Sequence, residues 1–149
     1  MTSQSAPVKD RSAKDRFRRR IILLVEDEPF VLEATRGILL QQGFEVMSAV
    51  NPKDALKIYL ECGREIDLLM TDLVLPGGTG DQLGHDLRQR SPRIMVLVTS
   101  GYDMPEYETE APNSCMYFLA KPYSRRTLVE KIEKILAHAP LRLPATQAG

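Results

Sequence analysis

Apolar runs of strand length alternate along this chain with segments that have helical spacing. Ile21 to Val25 and Ile94 to Val98 contain no polar residue, which is typical of strands buried on both faces of a parallel sheet. Phe44 to Ser48 alternates instead, and this predicts an edge strand with one wetter face. Further strands are expected from Ile66 to Thr71 and from Cys115 to Ala120. The pattern therefore predicts five strands.

Helical spacing of apolar residues fills the first two connections. One helix is expected to follow Pro29 and to end at Gly43, since proline suits a first helical turn and glycine suits a C-cap. The next is expected to begin at Asn51-Pro52 and to end at Gly63. The residues predicted to face inward are Val31, Ala34, Ile38 and Gln41 in the first helix and Ala55, Ile58, Tyr59 and Cys62 in the second.

The later connections are less uniform. A third helix is expected from Thr79 to Gln89, and Pro140 is expected to end the last one. Between Tyr102 and Asn113, two prolines bracket about two acidic turns, which predicts a short, irregular fourth helix. The residues predicted to face inward are Leu83 and Leu87 in the third helix and Leu128, Ile132, Ile135 and Leu136 in the last.

Strands that alternate with helices in this way indicate an α/β fold. We expect a doubly wound, five-stranded parallel sheet with helices on both faces. The length of 149 residues fits one domain. The predicted division is a basic, flexible N-terminal arm over residues 1–19, a folded domain over 20–138 and a C-terminal tail over 139–149.

Composition and charge narrow the class of protein. Apolar residues make up 43% and charged residues 27% of the chain, as in ordinary soluble proteins. No apolar run approaches the ~20 residues that span a bilayer, and no signal peptide is evident, so we expect a cytoplasmic protein without a membrane span. The net charge of zero conceals a basic start: residues 1–20 sum to +5 and the remainder to −5. Such an arm can bind nucleic acid or anionic lipid, although a solvated leader is commoner.

Polar residues stand where each buried strand ends. Glu26 and Asp27 follow the first strand, Asp72 ends the third, Ser100 follows the fourth and Lys121 follows the fifth. Because parallel strands point the same way, we expect these side chains to converge on one edge of the sheet, where such folds bind ligands. The sequence therefore predicts a pocket with three carboxylates, a hydroxyl and an ammonium.

This set of groups suits phosphoryl transfer. Carboxylates placed close together repel, so a cation is expected among them, and oxygen-only ligands favour Mg²⁺. Cys62, Cys115, His85 and His138 offer no metal-ligand spacing or disulfide framework. An ammonium and a hydroxyl can share phosphoryl oxygens with a metal, and a carboxylate such as that of Asp72 can act as the nucleophile.

Four segments of the sequence resemble, in order and spacing, the signatures of CheY-like response-regulator receiver domains. The resemblance covers roughly residues 20–138 and is also close to the receivers of hybrid histidine kinases. It implies a flavodoxin-like sheet with strand order 2-1-3-4-5. The four segments are Leu24 to Pro29, Thr71 to Gly78, Val98 to Tyr102 and Phe118 to Tyr123.

The resemblance also implies roles for individual residues. Asp72 corresponds to the phosphoacceptor aspartate. Asp27 corresponds to a direct Mg²⁺ ligand, Glu26 to a ligand acting through water, and the backbone carbonyl of Val74 to a further ligand. The implied cofactor is Mg²⁺.

Three further residues match the switching part of the family pattern. Ser100 and Lys121 correspond to the hydroxyl and lysine that hold the phosphoryl group, and Phe118 to an aromatic switch, although a plain core role for Phe118 remains open. The implied function is a single-domain response regulator, not an enzyme, that receives a phosphoryl group from a histidine kinase or histidine phosphotransfer protein. It would signal to a downstream protein by conformational change, and no DNA-binding effector domain is expected.

Two other functions remain open on the sequence. A degenerate receiver would bind partners without phosphorylation. An Mg²⁺-dependent aspartyl phosphatase would need an Asp-x-Asp site, and Val74 occupies its second position. A dinucleotide site at Gly77 to Gly84 is disfavoured, since three residues separate Gly80 from Gly84 where the fingerprint needs two. The acidic segment after Gly101 suggests an atypical output surface, and dimerisation is not determined by the sequence.

Overall fold

The apolar runs form the centre of one sheet, and the segments of helical spacing cover it. The computed structural model describes residues 19–62, 66–101 and 115–139. Its elements follow in the order β1 (Ile21–Val25), α1 (Pro29–Gln41), β2 (Glu45–Ala49), α2 (Pro52–Cys62), β3 (Leu68–Asp72), β4 (Val74–Leu75), β5 (Gly78–Thr79), α3 (Gly80–Arg90), β6 (Met95–Ser100), β7 (Met116–Ala120) and α4 (Arg125–Ala137).

Five strands form the main sheet in the order β2-β1-β3-β6-β7, and every pair is parallel. This is the predicted α/β architecture, and the order is the one that the resemblance implies once the small strands β4 and β5 are left out of the count. The edge position expected for β2 is confirmed. Two strands run further than predicted because their ladder continues: Asp72 at the end of β3 pairs with Thr99 of β6.

Both faces of the sheet are covered, as predicted. Side chains of α2 and α3 pack on one face with Leu23, Leu69 and Val96, while side chains of α1 and α4 pack on the other with Ile22 and Leu97. Because consecutive residues of a strand point to opposite faces, a strand buried on both sides must be apolar throughout. That requirement explains the uninterrupted apolar runs.

Side chains fix the starts of several helices. Asn51 Oδ1 accepts a hydrogen bond from the backbone N–H of Asp54 at 2.7 Å, which caps α2 as predicted. Ser124 Oγ accepts from the N–H of Thr127 at 3.0 Å at the start of α4. Gly43 has a φ of +96° just after α1, a conformation that favours glycine and ends the helix as expected.

The inward face predicted for α1 is wrong in part, since Ile38 packs against the core but Ala34 and Gln41 do not. The buried residues of this helix are Thr35 and Leu39, whereas Ala34 and Gln41 are exposed. The helix is apolar on nearly every side, so spacing alone does not select a face. Thr35 is buried because its hydroxyl lies 3.4 Å from the hydroxyl of Tyr123, which satisfies a polar group that would otherwise disfavour burial.

A small hairpin that the sequence pattern did not predict connects β3 to α3. Val74 pairs with Thr79 and Leu75 with Gly78 in antiparallel fashion, and Gly77 turns the chain with a φ of +89°. Gly80 then begins α3 directly against β3. A Cβ at Gly80 would lie 2.7 Å from Thr71 Oγ1 and closer still to the carbonyl oxygen of Asp72, so only glycine fits there.

Several predictions lie outside the described residues. They are the short, irregular fourth helix between Tyr102 and Asn113, the end of the second helix at Gly63, the stop at Pro140, and most of the arm and the tail. Within residues 19–62, 66–101 and 115–139, no helix is both long enough and apolar enough to cross a membrane. Cys62 and Cys115 are free, half-buried thiols.

Candidate functional site

The carboxyl ends of the parallel strands bring the predicted polar residues to one edge of the sheet. Glu26 and Asp27 follow β1, Asp72 is the last residue of β3, Ser100 is the last residue of β6, and Lys121 follows β7. The register explains this convergence, because Val25 pairs with Thr71, Asp72 with Thr99, and Ser100 with Ala120. Strand ends that are far apart in sequence therefore lie side by side along one edge of the sheet.

Three carboxylates form an acidic cluster at this edge. Glu26, Asp27 and Asp72 each offer an oxygen, and these oxygens lie within 4.8 Å of one another. Glu26 is buried, Asp72 is half-buried and Asp27 is exposed. At an effective dielectric constant of about 20, two unit charges at such a distance repel by roughly 3 kcal/mol or more. The cluster is therefore built to hold positive charge.

Lys121 supplies part of that charge. Its Nζ lies 3.3 Å from Glu26 Oε1 and 3.4 Å from Asp72 Oδ1. Burial alone would lower the pKa of the Lys121 ammonium, but the carboxylates of Asp72 and Glu26 outweigh burial and hold this pKa above its ordinary value. Lys121 thus remains charged at neutral pH, and one ammonium among three carboxylates leaves the site acidic.

Backbone donors orient two of the carboxylates. Asp72 Oδ1 accepts a hydrogen bond from the N–H of Leu73 at 3.0 Å, and Glu26 Oε2 accepts one from the N–H of Glu28 at 3.2 Å. The contacts of the Asp72 carboxylate with Leu73 and with Lys121 both use Oδ1. Among the described residues, Oδ2 is left as the oxygen of Asp72 without a hydrogen bond or ion pair.

The other predicted site residues stand nearby with different exposures. Ser100 is almost fully buried, and its carbonyl accepts a hydrogen bond from the N–H of Lys121 at 2.8 Å. Val74 is exposed on β4, two residues after Asp72. Phe118 is half-buried on β7 and packs toward the face that carries α2 and α3. The structure thus gathers Glu26, Asp27 and Asp72 into one cluster and pairs Lys121 with two of them, Glu26 and Asp72. It places Ser100 at the same edge.

The residues present fit a hard divalent cation. The cluster offers carboxylate oxygens and neither a thiolate nor an imidazole, which is the donor chemistry that Mg²⁺ prefers. Its remaining negative charge after pairing with Lys121 favours a cation as well. Glu28, the third acid of the run, instead caps α1 by accepting from the N–H of Phe30 at 3.3 Å.

Sequence reasoning missed the residues that support the site from behind. Gly80 allows α3 to begin against the carbonyl of Asp72, and its N–H donates to the Leu73 carbonyl at 2.7 Å. Gly84 likewise lets α3 approach β6, since a Cβ there would lie 2.9 Å from a methyl of Val96. The glycine-rich run therefore allows α3 to pack closely against the sheet. The sequence contained one sign of this role, because the spacing of the glycines does not fit a dinucleotide-binding fingerprint.

The sequence matches a known family model. Residues 22–133 match the model described as the response regulator receiver domain. The sensor kinase CckA of Brucella abortus (strain 2308) is 33% identical over 116 residues, which cover 77% of this chain and 12% of that kinase. The chain spans about half or less of the length of the curated relatives it matches.

Solved structures agree with this match. The receiver domain of the hybrid histidine kinase CckA has a TM-score of 0.68 and 33% identity, over 78% of this chain and 98% of that one. The response regulator TrrA of Thermotoga maritima, solved in complex with Mg²⁺ and BeF, has a TM-score of 0.67 and 25% identity, over 78% of this chain and 98% of that one.

Proposed function

This chain belongs to the family of response regulator receiver domains, signalling domains of two-component systems, and we propose that its Asp72 accepts a phosphoryl group in a reaction that depends on Mg²⁺. One observation carries this proposal. The Asp72 carboxylate lies within 4.8 Å of two other carboxylates and 3.4 Å from the Lys121 ammonium, at the edge of the sheet where such folds bind ligands. An aspartate with a purely structural role would not need two other carboxylates and an ammonium beside it.

The geometry suggests how the acceptor works. Leu73 and Lys121 both contact Oδ1, so this oxygen is fixed and Oδ2 is available as the nucleophile. Oδ2 would attack the phosphorus of a phosphohistidine, forming a P–O bond while the P–N bond breaks and the histidine nitrogen leaves and takes a proton. The product is an acyl phosphate on Asp72.

Charge on the transferred group is the main obstacle that the site must overcome. We propose that Lys121, already charged and held between Glu26 and Asp72, turns from these carboxylates to a phosphoryl oxygen. Ser100, at the end of the neighbouring strand, would donate its hydroxyl to a second oxygen. Phe118 would then repack on its side of the sheet and carry the change to the surface.

A metal ion would complete the site. Asp27 would be a direct Mg²⁺ ligand with Asp72, Glu26 would act through water, and the backbone carbonyl of Val74 would be a further ligand. When bound, Mg²⁺ offsets the mutual repulsion of the carboxylates and of the phosphoryl oxygens. Support comes from the donor set of this chain and from the TrrA structure, which contains Mg²⁺ and BeF.

The family also suggests partners. We propose that the donor is a histidine kinase or a histidine phosphotransfer protein in the cytoplasm, and that a downstream protein recognises the phosphorylated form. The folded receiver would extend over residues 20–138, with a basic arm at 1–19 and a tail at 139–149. Self-phosphorylation from small donors and self-dephosphorylation are expected as side reactions.

The test uses a small phosphodonor, so that it needs no partner protein. The full chain is incubated with Mg²⁺ and phosphoramidate, which carries a P–N bond, and its intact mass is measured over time. We expect one added phosphoryl group in the parent, at least a 100-fold slower gain in Asp72→Asn, and parental behaviour in Asp67→Asn, the matched control at the other end of β3.

Three results would contradict the proposal. Equal uptake by Asp72→Asn would move the acceptor elsewhere. No uptake by the parent at saturating Mg²⁺ and donor would favour a degenerate receiver that acts without phosphorylation. Steady hydrolysis of p-nitrophenyl phosphate would favour an aspartyl phosphatase.

A further inference from the structure

The loop that carries Lys121 is attached to the rest of the domain on two sides. Residues 121–124 lie between β7 and α4 and belong to neither element. On the side of the sheet, the backbone N–H of Lys121 donates to the Ser100 carbonyl at 2.8 Å. On the other side, the hydroxyl of Tyr123 is hydrogen-bonded to the hydroxyl of Thr35 at 3.4 Å. This second attachment joins the loop to the middle of α1.

The hydroxyl pair lies in an otherwise apolar environment. Thr35 is 4% exposed, and the other buried residue of α1 is Leu39. Tyr123 packs against the apolar cluster on the face of the sheet that carries α1 and α4. A buried hydroxyl costs free energy unless it has a partner, and a hydrogen bond between two neutral groups adds little net stability. Stability alone therefore gives little reason for a hydroxyl at position 35.

Helix α1 is also attached to the acidic cluster, at its N-terminal end. Glu28 caps the helix by accepting from the N–H of Phe30, and the N–H of Glu28 donates to Glu26 Oε2 at 3.2 Å. The Glu26 carboxylate in turn lies 3.3 Å from Lys121 Nζ. The helix and the loop are therefore joined twice, at the site by Glu26 with Lys121 and below it by Thr35 with Tyr123.

We propose that Thr35 and Tyr123 are positioning residues, which fix the loop after β7 so that the Lys121 ammonium can reach a phosphoryl group on Asp72. This inference rests on the proposed function. Tyr123 is two residues from Lys121, and the ring of Pro122 between them fixes one backbone dihedral. A displacement of Tyr123 is therefore passed along the backbone to Lys121.

The position of the ammonium matters because its task depends on prior placement. Lys121 Nζ lies between carboxylate oxygens of Glu26 and Asp72, at 3.3 and 3.4 Å. A cation stabilises the charge of a transferred phosphoryl group only if it already stands where that charge develops. A misplacement of about 1 Å can slow a reaction on the order of 100-fold. Loss of one remote attachment should cost less, and we expect about a tenfold effect.

The test removes both hydroxyls and keeps the apolar packing. Labelling of Asp72 by phosphoramidate is timed at saturating Mg²⁺ in the full chain and in the double variant Thr35→Val/Tyr123→Phe. We expect labelling to be about tenfold slower in the double variant. Its midpoint in urea should stay close to that of the parent, because both partners of the bond become apolar together.

Two control variants separate the bond from general effects. Thr35→Ser keeps a hydroxyl at this position and should retain most of the parental labelling rate. Tyr59→Phe removes the hydroxyl of a buried tyrosine that packs on the opposite face of the sheet, with α2 and α3. We expect the parental rate in Tyr59→Phe, because Tyr59 has no attachment to the loop after β7.

A second background shows whether the pair acts through Lys121. The same measurement is repeated with Lys121→Met present in both chains, over longer incubations. If the hydroxyl pair acts by placing the ammonium, the double substitution slows labelling no further once Lys121 is gone. A general loosening of the domain would slow labelling by the same factor in both backgrounds.

Two results would overturn the inference while leaving the proposed function intact. A parental labelling rate in the double variant would show that the bond only satisfies a buried hydroxyl. Equal slowing with and without Lys121 would show that the pair supports the fold and does not act through the ammonium. A parent that takes up no phosphoryl group would instead overturn the proposed function, and this inference with it.

Discussion

Strand β3 has an aspartate at each end, and the surroundings of the two carboxylates differ. Asp67 precedes the strand, and its Oδ2 accepts a hydrogen bond from the N–H of Ile21 at 2.8 Å, while its own backbone bonds to Ile21 and Met95 on both sides. Asp72 ends the strand among two other carboxylates and the Lys121 ammonium. One carboxylate joins neighbouring strands and the other is held where a charged ligand can bind.

The difference shows how to separate a structural acid from a functional one in the same strand. Hydrogen bonds to backbone N–H groups stabilise the folded state whether or not a ligand is bound. Clustered carboxylates repel each other, so their arrangement is maintained against a free-energy cost unless a cation binds. Removing Asp67 should therefore weaken the fold, and removing Asp72 should not.

The largest effect should come from the backbone that holds the Asp72 end in place. Gly80→Ala would force a Cβ against the Asp72 carbonyl and Thr71 Oγ1, and we expect a loss of about 3 kcal/mol or more in the free energy of unfolding. Gly37→Ala is the control, since nothing lies within 4 Å of its Cβ position and alanine favours a helix. Urea denaturation measures both. If the two variants were equally stable, close packing of α3 would not be what holds the Asp72 end of β3 in place.

The two aspartates should differ in the sign of their effect on stability. Asp67→Ala leaves the N–H of Ile21 without its acceptor, so we expect a loss of about 1 to 3 kcal/mol. Asp72→Ala removes one of three clustered carboxylates and leaves Lys121 paired with Glu26. The N–H of Leu73, which also donates to Asp72, keeps its bond to the Thr99 carbonyl at 2.8 Å, so we expect no loss or a gain of up to about 1 kcal/mol. Urea denaturation without divalent cations gives both values. If Asp67→Ala and Asp72→Ala lost similar amounts of stability, the distinction between a structural and a functional aspartate would be wrong.

Mg²⁺ should stabilise the folded state only by binding at the Asp72 end of β3. At a concentration tenfold above its dissociation constant, a ligand that binds the folded state alone raises the free energy of unfolding by about 1.4 kcal/mol. We expect this gain in the parent and in Asp67→Asn, and its loss in Asp27→Asn, because Asp27 belongs to the cluster. Thermal denaturation with and without Mg²⁺ measures it. A gain that persists in Asp27→Asn would place the cation elsewhere.

The smallest effect should be a pH dependence of the free energy of unfolding that arises from Lys121, at the Asp72 end of β3. The pKa of Lys121 is raised in the folded state, so its contribution to stability is complete below the ordinary lysine pKa of about 10.4 and is lost as the pH rises through the higher folded value. The stability difference between the parent and Lys121→Met should therefore narrow over this alkaline range. The N–H donor at Asp67 does not titrate there. A constant difference would contradict the ion pairs of Lys121.

Much of this arrangement could be predicted from the sequence because parallel strands impose it. The apolar runs fixed the buried strands, and the rule that strand ends meet at one edge was sufficient to bring Glu26, Asp27, Asp72 and Lys121 together. The strand order came from the family resemblance, since several orders satisfy the same apolar pattern.

Other features depend on contacts that no local pattern records. The buried face of α1 is set by Thr35, whose hydroxyl meets Tyr123 88 residues later in the chain. The structural role of Asp67 requires the N–H of Ile21, 46 residues earlier. Gly80 is required by the approach of α3 to β3, and in sequence it is one glycine among several.

Chemical mapping tests most directly whether Asp72 is the phosphoryl acceptor. After treatment with phosphoramidate and Mg²⁺, borohydride reduces an aspartyl phosphate to homoserine, and tandem mass spectrometry of the digested chain locates the converted residue. We expect homoserine at position 72 and unmodified aspartate at Asp27 and Asp67. Conversion at either of those residues, with Asp72 intact, would contradict this assignment.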